Sequence, residues 1–551
     1  MRSRHVAILA AIVGVAAIAA VAGFVLLGGG TTPTTALDAP RFTDETAASG
    51  LAHTYGGDSR FFVGGGMAAF DCDDDGRAEL YLAGGAAPAA LFHNDSEVGG
   101  ALRFSRLADA TTDLVDVTGA YPLDVDADGH LDLAVLRAGE NVLLRGLGAC
   151  RFERANEAWR FDGGDGRTMA FSATWEDDAS LPTLAIGDYI ALDDLGAPMP
   201  PCPDNQLFRP ATGEGGTYGP PAALSPGYCP LSMLFSDWDR SGRRDLRVSN
   251  DRQYYTGGQE QLWRMGDADP RAYSADDGWV TMQIFGMGIA SQDLTDDGYP
   301  EVYLTSQGDN KLQTLLSGPT QPTYRDIALR HGVNAPQPFT GGDSLPSTAW
   351  HPEFADVNND GFTDLFVTKG NVGEQAGYAE RDPSELLLGG PDGSFNQAAD
   401  EAGIVNFERG RGAALLDLNL DGLLDLVEVN LDAPVELWRN LGAGEAETAE
   451  PMGHWLALRL RQPGANRDAI GSWIEVRIGE AVVLRELTVG GGHVSGQLGW
   501  LHVGLGPSSR AEVRVRWPDG TEGPWQRVDA DTFVIIDRDA AAPETWQPDP
   551  D

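Results

Sequence analysis

Positive charge is what this chain has least of. Its 82 Asp and Glu outnumber 39 Lys and Arg, for a formal net charge of −43, and the lysines are only two, Lys311 and Lys369. Nucleic acids and anionic membrane surfaces are both held by basic patches, so the balance argues against either as a partner. It suits metal cations or an acidic, well-solvated surface. Local catalytic signatures are also missing: there is no HExxH, no Ser nucleophile elbow and no CxxC, and the nine histidines are scattered.

Long apolar runs are absent except at one place. After "MRSRH" the chain reads "VAILAAIVGVAAIAAVAGFVLL", 22 uncharged residues from Val6 to Leu27. That is longer than a usual signal-peptide core and sufficient to span a bilayer. Arg2 and Arg4 would keep that end inside and send the rest outward. Residues 1–30 therefore read as an uncleaved anchor in the inner membrane, with a cleaved signal peptide as the alternative, and 31–40 as a linker. In either case the body is expected outside the cytoplasm, in the periplasm, on the cell surface or secreted.

Cysteine is scarce, and in that compartment the four residues can pair. Cys202 and Cys229 bracket a Pro/Gly-rich stretch that would gain from a staple, which leaves Cys72 and Cys150. Three connectivities are open, as are free thiols.

What the chain has in quantity is one acidic line, written repeatedly. It starts at Asp71 ("DCDDDGRAE"), Asp124 ("DVDADGHLD"), Asp237 ("DWDRSGRRD"), Asp293 ("DLTDDGYPE"), Asp356 ("DVNNDGFTD") and Asp417 ("DLNLDGLLD"), with gaps of 53, 113, 56, 63 and 61 residues. The long gap is about two periods, and "TWEDDASLPTLAIGDY" within it is a degenerate copy in which only Asp177 keeps a ligand-type side chain. Seven apolar tags follow the knots: "ALFHN", "VLLRG", "QLFRP", "QLWRM", "LQTLL", "ELLLG" and "ELWRN". Seven aromatics, Phe42, Phe104, Phe152, Tyr218, Tyr273, Tyr324 and Phe395, open successive segments, the first of them ahead of the first knot.

Each period reads as about four short strands separated by Gly, Asp and Asn turns, a sheet too small to bury both faces alone. Sheets at this period predict propeller blades, so the expected fold is all-β: a seven-bladed β-propeller over 41–445. If Phe42 lies on the outer strand of the last blade, the N-terminal strand closes the ring. Residues 450–540 alternate like strands too ("WIEVRIGEAVVLREL", "AEVRVRW", "TFVII") and predict a small β-sandwich-like module, followed by a tail at 541–551. His454, His493 and His502 fit no usual metal spacing and read as strand surface or core.

Within each knot, ligand-type residues fall at positions 1, 3, 5 and 9, with glycine at 6. Hard oxygens converging from alternate positions of a tight loop suit calcium, and magnesium less well. The candidate ligands are Asp71, Asp73, Asp75 and Glu79; Asp124, Asp126, Asp128 and Asp132; Asp237, Asp239, Ser241 and Asp245; Asp293, Thr295, Asp297 and Glu301; Asp356, Asn358, Asp360 and Asp364; and Asp417, Asn419, Asp421 and Asp425. The backbone carbonyls of Arg77, His130, Arg243, Tyr299, Phe362 and Leu423 are expected to join them. Transition metals would call for His or Cys, which the loops do not supply. An EF-hand would need Glu at position 12, where Leu82, Val135, Leu304 and Val367 stand and only Glu428 fits. Up to six Ca2+ are expected, set among 20 carboxylates.

These lines resemble the FG-GAP/VCBS repeats of integrin α-subunit propellers. The whole chain looks like the bacterial relatives of cartilage acidic protein, which carry a C-terminal ASPIC/UnbV domain. The resemblance there rests on "GHWLALRL", "NRDAIGSWIEVRIG", "LHVGLG" and "VRVRWPDG". It implies an extracytoplasmic calcium-binding protein acting in adhesion or recognition, with a protein or glycan partner. Blade three departs from the pattern, and no ion is expected there. Insertions at 192–230 and 334–352 are the candidate ligand surface. Two other classes stay open: a carbohydrate-active enzyme with its site in the axial cleft, and a purely structural envelope role.

Overall fold

A computed structural model describes residues 32–548 except 178, 193–200, 212–215, 252–256, 267–268, 335–344, 374, 380–381 and 445–447. The anchor expected at 6–27 and parts of both insertions lie outside the described residues. Among those described, no helix is long and apolar enough to cross a membrane.

The strands are short because each runs only from one face of the ring to the other, and most are buried on both sides. Val117–Leu123, "VTGAYPL", is buried at all seven positions, as are Thr168–Thr174 and Pro230–Ser236. Neighbouring sheets cover both faces of such a strand, so its pattern is continuous rather than alternating. The next strand outward is also buried (Asp132–Arg137), whereas the outermost buries only its aromatic opener: Phe152 is buried, Glu153 and Arg154 are exposed.

Four-strand antiparallel units of this kind recur seven times among the described residues, six of them in chain order from the axis outward. Their inner strands begin at Met67, Val117, Thr168, Pro230, Gly286, Ala349 and Gly410, and successive ones pack together around a ring. Six of these seven carry a register shift near their start, between Val117 and Gly119 for example, where the strand leaves the face opposite the knots. The seventh unit takes its outer strand from the other end of the chain. Phe42 pairs with Asn440 and Asp44 with Trp438, so Phe42–Asp44 completes the sheet whose inner strand is Gly410–Leu416. The ring's two ends are thereby hydrogen-bonded to each other and no raw edge is left between them.

Both disulfides form: Cys72–Cys150 and Cys202–Cys229. The second staples the Pro/Gly-rich insertion. The first links the knot of blade one to the turn before the outer strand of blade two.

Beyond the ring, two four-stranded sheets face each other. One is ordered Leu501–Gly506, His454–Arg461, Thr532–Asp537, Glu544–Trp546; the other Ala481–Glu486, Trp473–Ile478, Arg510–Arg516, Gln526–Asp529. Leu456, Leu458, Ile474, Val476, Val513 and Val534 fill the space between them, which makes a β-sandwich. One segment leaves this module. Val489–Gly490 pairs with the inner strand of blade three, and Gly496–Leu498 pairs in parallel with that of blade one.

Candidate metal centres on the propeller face

Each knot follows the end of an inner strand and returns at the start of the next strand, so position 1 and position 9 sit at opposite lips of one turn. The loop backbone is the same in all six. Position 4 takes a left-handed conformation in Asp74, Ala127, Arg240, Asp296, Asn359 and Leu420, at φ between 54° and 66°. Glycine follows at position 6 with φ between 83° and 95°, where a Cβ would be strained. Its amide donates to the position-1 carboxylate in every loop: Gly76 to Asp71, Gly129 to Asp124, Gly242 to Asp237, Gly298 to Asp293, Gly361 to Asp356 and Gly422 to Asp417. The position-7 amide donates back to position 5, as Arg77 does to Asp75 and Phe362 to Asp360. In five loops the position-2 amide donates to position 9: Cys72 to Glu79, Val125 to Asp132, Leu294 to Glu301, Val357 to Asp364 and Leu418 to Asp425. These bonds hold the carboxylates close while leaving oxygens over.

The oxygens left over point to a cation. Asp71 Oδ1, Asp73 Oδ1, Glu79 Oε1, Asp124 Oδ1, Asp126 Oδ1, Asp293 Oδ1 and Asn419 Oδ1 are buried without a hydrogen-bond partner among the described residues. The ligand atoms of Asp71, Asp73 and Asp75 lie within 4.8 Å of one another, as do those of Asp124, Asp126 and Asp132. Burial pushes Glu79 up to about 9, Asp132 to about 8, and Asp124 and Asp293 to about 7. In blades six and seven it raises Asp356, Asp364, Asp417 and Asp425 well above the carboxylate range, with the neighbouring acids Asp360 and Asp421 adding to it. Such clusters are tolerable only when protonated or neutralised by a cation. The donor set of alternating hard oxygens fits calcium.

Blade four differs. Asp245 receives the guanidinium of Arg243 (2.8 Å), the Trp238 indole N–H, the Tyr273 hydroxyl and the Met265 amide. Arg243 also stands 3.6 Å from Asp239. Arg243 is expected to contribute its carbonyl at position 7, but its side chain reaches Asp245, two residues along, and supplies a built-in cation. Blade three has a counterpart, Arg209, paired twice with Glu176 (2.6 and 2.8 Å). Blade one differs in another way: the fold brings His93, on the third strand, to Asp73 (3.0 Å). The loop itself supplies no His or Cys ligand; this imidazole comes from the third strand, whose register is invisible in the loop's own sequence.

The C-terminal module lies on this knot face. Arg459 donates to Asp71 (3.1 Å), and Arg467 is 3.9 Å from Asp124. His502 meets Asn359 (2.6 Å), and Glu486 accepts from the amide of Asp237 (2.7 Å). The charge balance suits that contact: residues 454–546 carry ten arginines against twelve carboxylates, so nearly all the net negative charge belongs to the rest of the chain.

From the module, residues 489–498 enter the ring's axis. Gly490 pairs with Ser172 in blade three, and Gly491 donates to the Met233 carbonyl in blade four. Gly492 and Ile289 of blade five exchange bonds, and the His493 amide donates to His351 of blade six. The Val494 carbonyl accepts from Ala120 of blade two, and Gly496 pairs with Ala68 of blade one. In blade seven a Cβ on Gly412 would lie 2.2 Å from the Ser495 hydroxyl. Ten residues reach all seven inner strands only from the axis. Glycine is required on the receiving side: a Cβ at Gly66 or Gly119 would come 1.8 or 2.1 Å from the Val494 carbonyl. His493 is fully buried there, with Nε2 on the Val63 carbonyl (2.9 Å), and burial lowers its pKa to about 3. His454 pairs with Asp531 at the surface. This axial segment was not foreseen; its only sequence signal is "VGGGHVSGQ", a glycine run interrupting a strand pattern.

Among known proteins, residues 462–543 match the family model described as ASPIC and UnbV. No curated protein matches the chain. Solved structures similar to it include BBS1N in complex with ARL6DN (8% identity, 76% of this chain and 100% of that chain, TM-score 0.40). Others are a lectin from Agrocybe aegerita that recognises non-reducing terminal N-acetylglucosamine (15%, 65% and 91%, 0.34) and AofleA from Arthrobotrys oligospora (10%, 66% and 92%, 0.33). The C-terminal part of the chain, residues 462–543, is thus similar to the ASPIC and UnbV family, as its motifs suggested.

Proposed function

We propose that this protein is an extracytoplasmic, calcium-stabilised β-propeller that works by recognising a protein or glycan partner. The observation that carries the calcium reading is the repetition of one loop backbone, with buried oxygens left over after local hydrogen bonding in the loops at Asp71, Asp124, Asp293 and Asp417. The loops at Asp293, Asp356 and Asp417 fit the ion on oxygen donors alone, while the loop at Asp124 also receives Arg145 from the third strand on Asp126 and Asp128. The loop at Asp237 has its own guanidinium, which makes it the weakest of the six. Calcium there would neutralise the carboxylates and tie each inner strand to its neighbour, and the chain's own part is to hold the donors in place.

The recognition reading is supported by where the faces lie. Inner strands run from the open face toward the knots, so Ala349, Pro230 and Asn205, the strand starts to which the insertions lead, lie on the side away from the C-terminal module. That side is free for a partner while the other is covered. The alternative, an enzyme with its site in the axial cleft, is disfavoured by residues 489–498, which take up the axis. Deleting residues 193–200 or 335–344, which leaves every blade strand in place, should abolish partner binding on a glycan array or in a direct binding assay without moving the calcium-dependent unfolding midpoint. Loss of binding only with loss of calcium stabilisation would count against a loop-borne surface.

A further inference from the structure

We infer that blade one holds a divalent transition-metal ion on Asp73, Glu79 and His93, in place of the calcium proposed for its sister loops. The inference rests on reading the knots as cation sites, and it concerns which cation this one selects.

His93 lies on the third strand, Ala90–Asn94, one residue beyond Phe92, which pairs with Leu80. Pairing in the other blades gives the equivalent positions as Arg145, Arg209, Arg264, Thr314, Leu388 and Arg439. In blade two this position delivers a guanidinium to the knot, with Arg145 2.8 Å from both Asp126 and Asp128. Blade one has put an imidazole where the chain elsewhere favours a fixed positive charge.

The imidazole is oriented. Nδ1 is 2.7 Å from Asp95 Oδ1, outside the knot, and Nε2 faces inward, 3.0 Å from Asp73 Oδ2. A carboxylate on one ring nitrogen fixes the tautomer and turns the lone pair of the other toward a metal. With Nδ1–H given to Asp95, Nε2 and Asp73 Oδ2 face each other as two acceptors, and either a metal ion or a second ring proton between them resolves the contact. Ligand bonds of about 2.1 Å at roughly a right angle put two donor atoms about 3.0 Å apart.

The third donor is independent of these two. Glu79 is fully buried, its Oε2 accepts from the Cys72 amide (2.8 Å), and its Oε1 has no partner among the described residues. The ligand atoms of Asp73, Glu79 and His93 lie within 4.8 Å of one another. Imidazole with two carboxylates selects zinc, iron, cobalt or manganese over calcium. The side chains of His93 and Asp73 are 28% and 22% exposed, so one side of the site opens to solvent and leaves coordination positions for water.

The test uses the full chain after chelation, refilled with calcium in large excess and then titrated with Co2+. One equivalent should bind with visible ligand-field absorption, survive the calcium, and be displaced by Zn2+. His93→Gln should weaken Co2+ binding roughly 100-fold and Asp95→Asn about 10-fold, the range for a lost ligand and a lost orienting partner. Asp95→Asn also serves should His93→Gln fail to fold. Displacement of Co2+ by calcium, or an unchanged spectrum in both variants, would overturn the inference and leave His93 as a hydrogen-bond partner of Asp73. The calcium-induced rise in unfolding temperature of His93→Gln reports separately on the other loops, so failure of the calcium reading appears as no rise while Co2+ still binds.

Discussion

The backbone amide of His493 donates to Nδ1 of His351, 3.0 Å away, across the centre of the ring. One residue belongs to the C-terminal module and the other to the inner strand of blade six, so the module supplies part of the propeller's own core. The two parts therefore should not unfold independently. A single cooperative thermal transition is expected for the full chain by calorimetry; two separated transitions would mean that the axial segment adds little.

Gly66→Ala isolates that contact. A methyl group there would come 1.8 Å from the Val494 carbonyl, which is backbone and cannot swing aside. A loss of about 1–3 kcal/mol is expected, the usual range for overpacking, measured by denaturant unfolding. Gly66 itself has no left-handed backbone, so Gly390→Ala, likewise outside that region and with nothing closer than 3.6 Å to its Cβ, is the control for losing a glycine without the clash.

His493 makes stability depend on acid. Its folded pKa of about 3 lies below the ordinary imidazole value of about 6.5, because burial disfavours the charged ring. A depressed pKa means the unfolded chain binds the proton more readily. The contribution is complete above about pH 6.5 and is lost as pH falls toward 3. Unfolding midpoints from pH 7 to 4 should fall less steeply in His493→Gln than in the native chain, once the variant's lower starting stability is subtracted.

Closure of the ring can be tested at Phe42, which is 5% exposed and packs against Leu426 and Trp438. Phe42→Ala should cost about 3–5 kcal/mol, as large aromatic truncations in cores do. Hydrogen exchange should quicken first in Glu436–Asn440, the strand that Phe42–Asp44 covers.

Blade four gives a gain-of-site prediction. Arg243→Ala removes the guanidinium from Asp245 and Asp239. The variant should be less stable than the native chain in chelator and should recover more on adding calcium. Equal recovery in both would mean that Arg243 yields to the ion already.

Much of the ring was legible. The tags "ALFHN", "VLLRG", "ELLLG" and "ELWRN" coincide with third strands Ala90–Asn94, Val142–Gly146, Glu385–Gly389 and Glu436–Asn440. Buried strands with fixed turn residues write a local pattern, and repetition multiplies it. Tyr218 and Tyr273 were less faithful guides, since the outer strands there are Ala222–Leu224 and Arg271–Ala272. The site was legible in its loop positions and not in its neighbours. Arg243 was read by its place in the loop rather than by the reach of its side chain. His93 enters through strand pairing, and residues 489–498 make all their bonds with strands far away in the sequence, where a local pattern carries no trace.

The central claim is that cations hold the knots. The most direct measurement is thermal unfolding of a chain starting near Thr31, with calcium titrated against chelator, for the native protein and Asp356→Ala. Each site that binds only the folded state contributes about 2.7 kcal/mol at 100-fold excess over its Kd. The account predicts a rise of many degrees with calcium, reduced in part by Asp356→Ala. An unfolding midpoint indifferent to calcium in the native chain would contradict it.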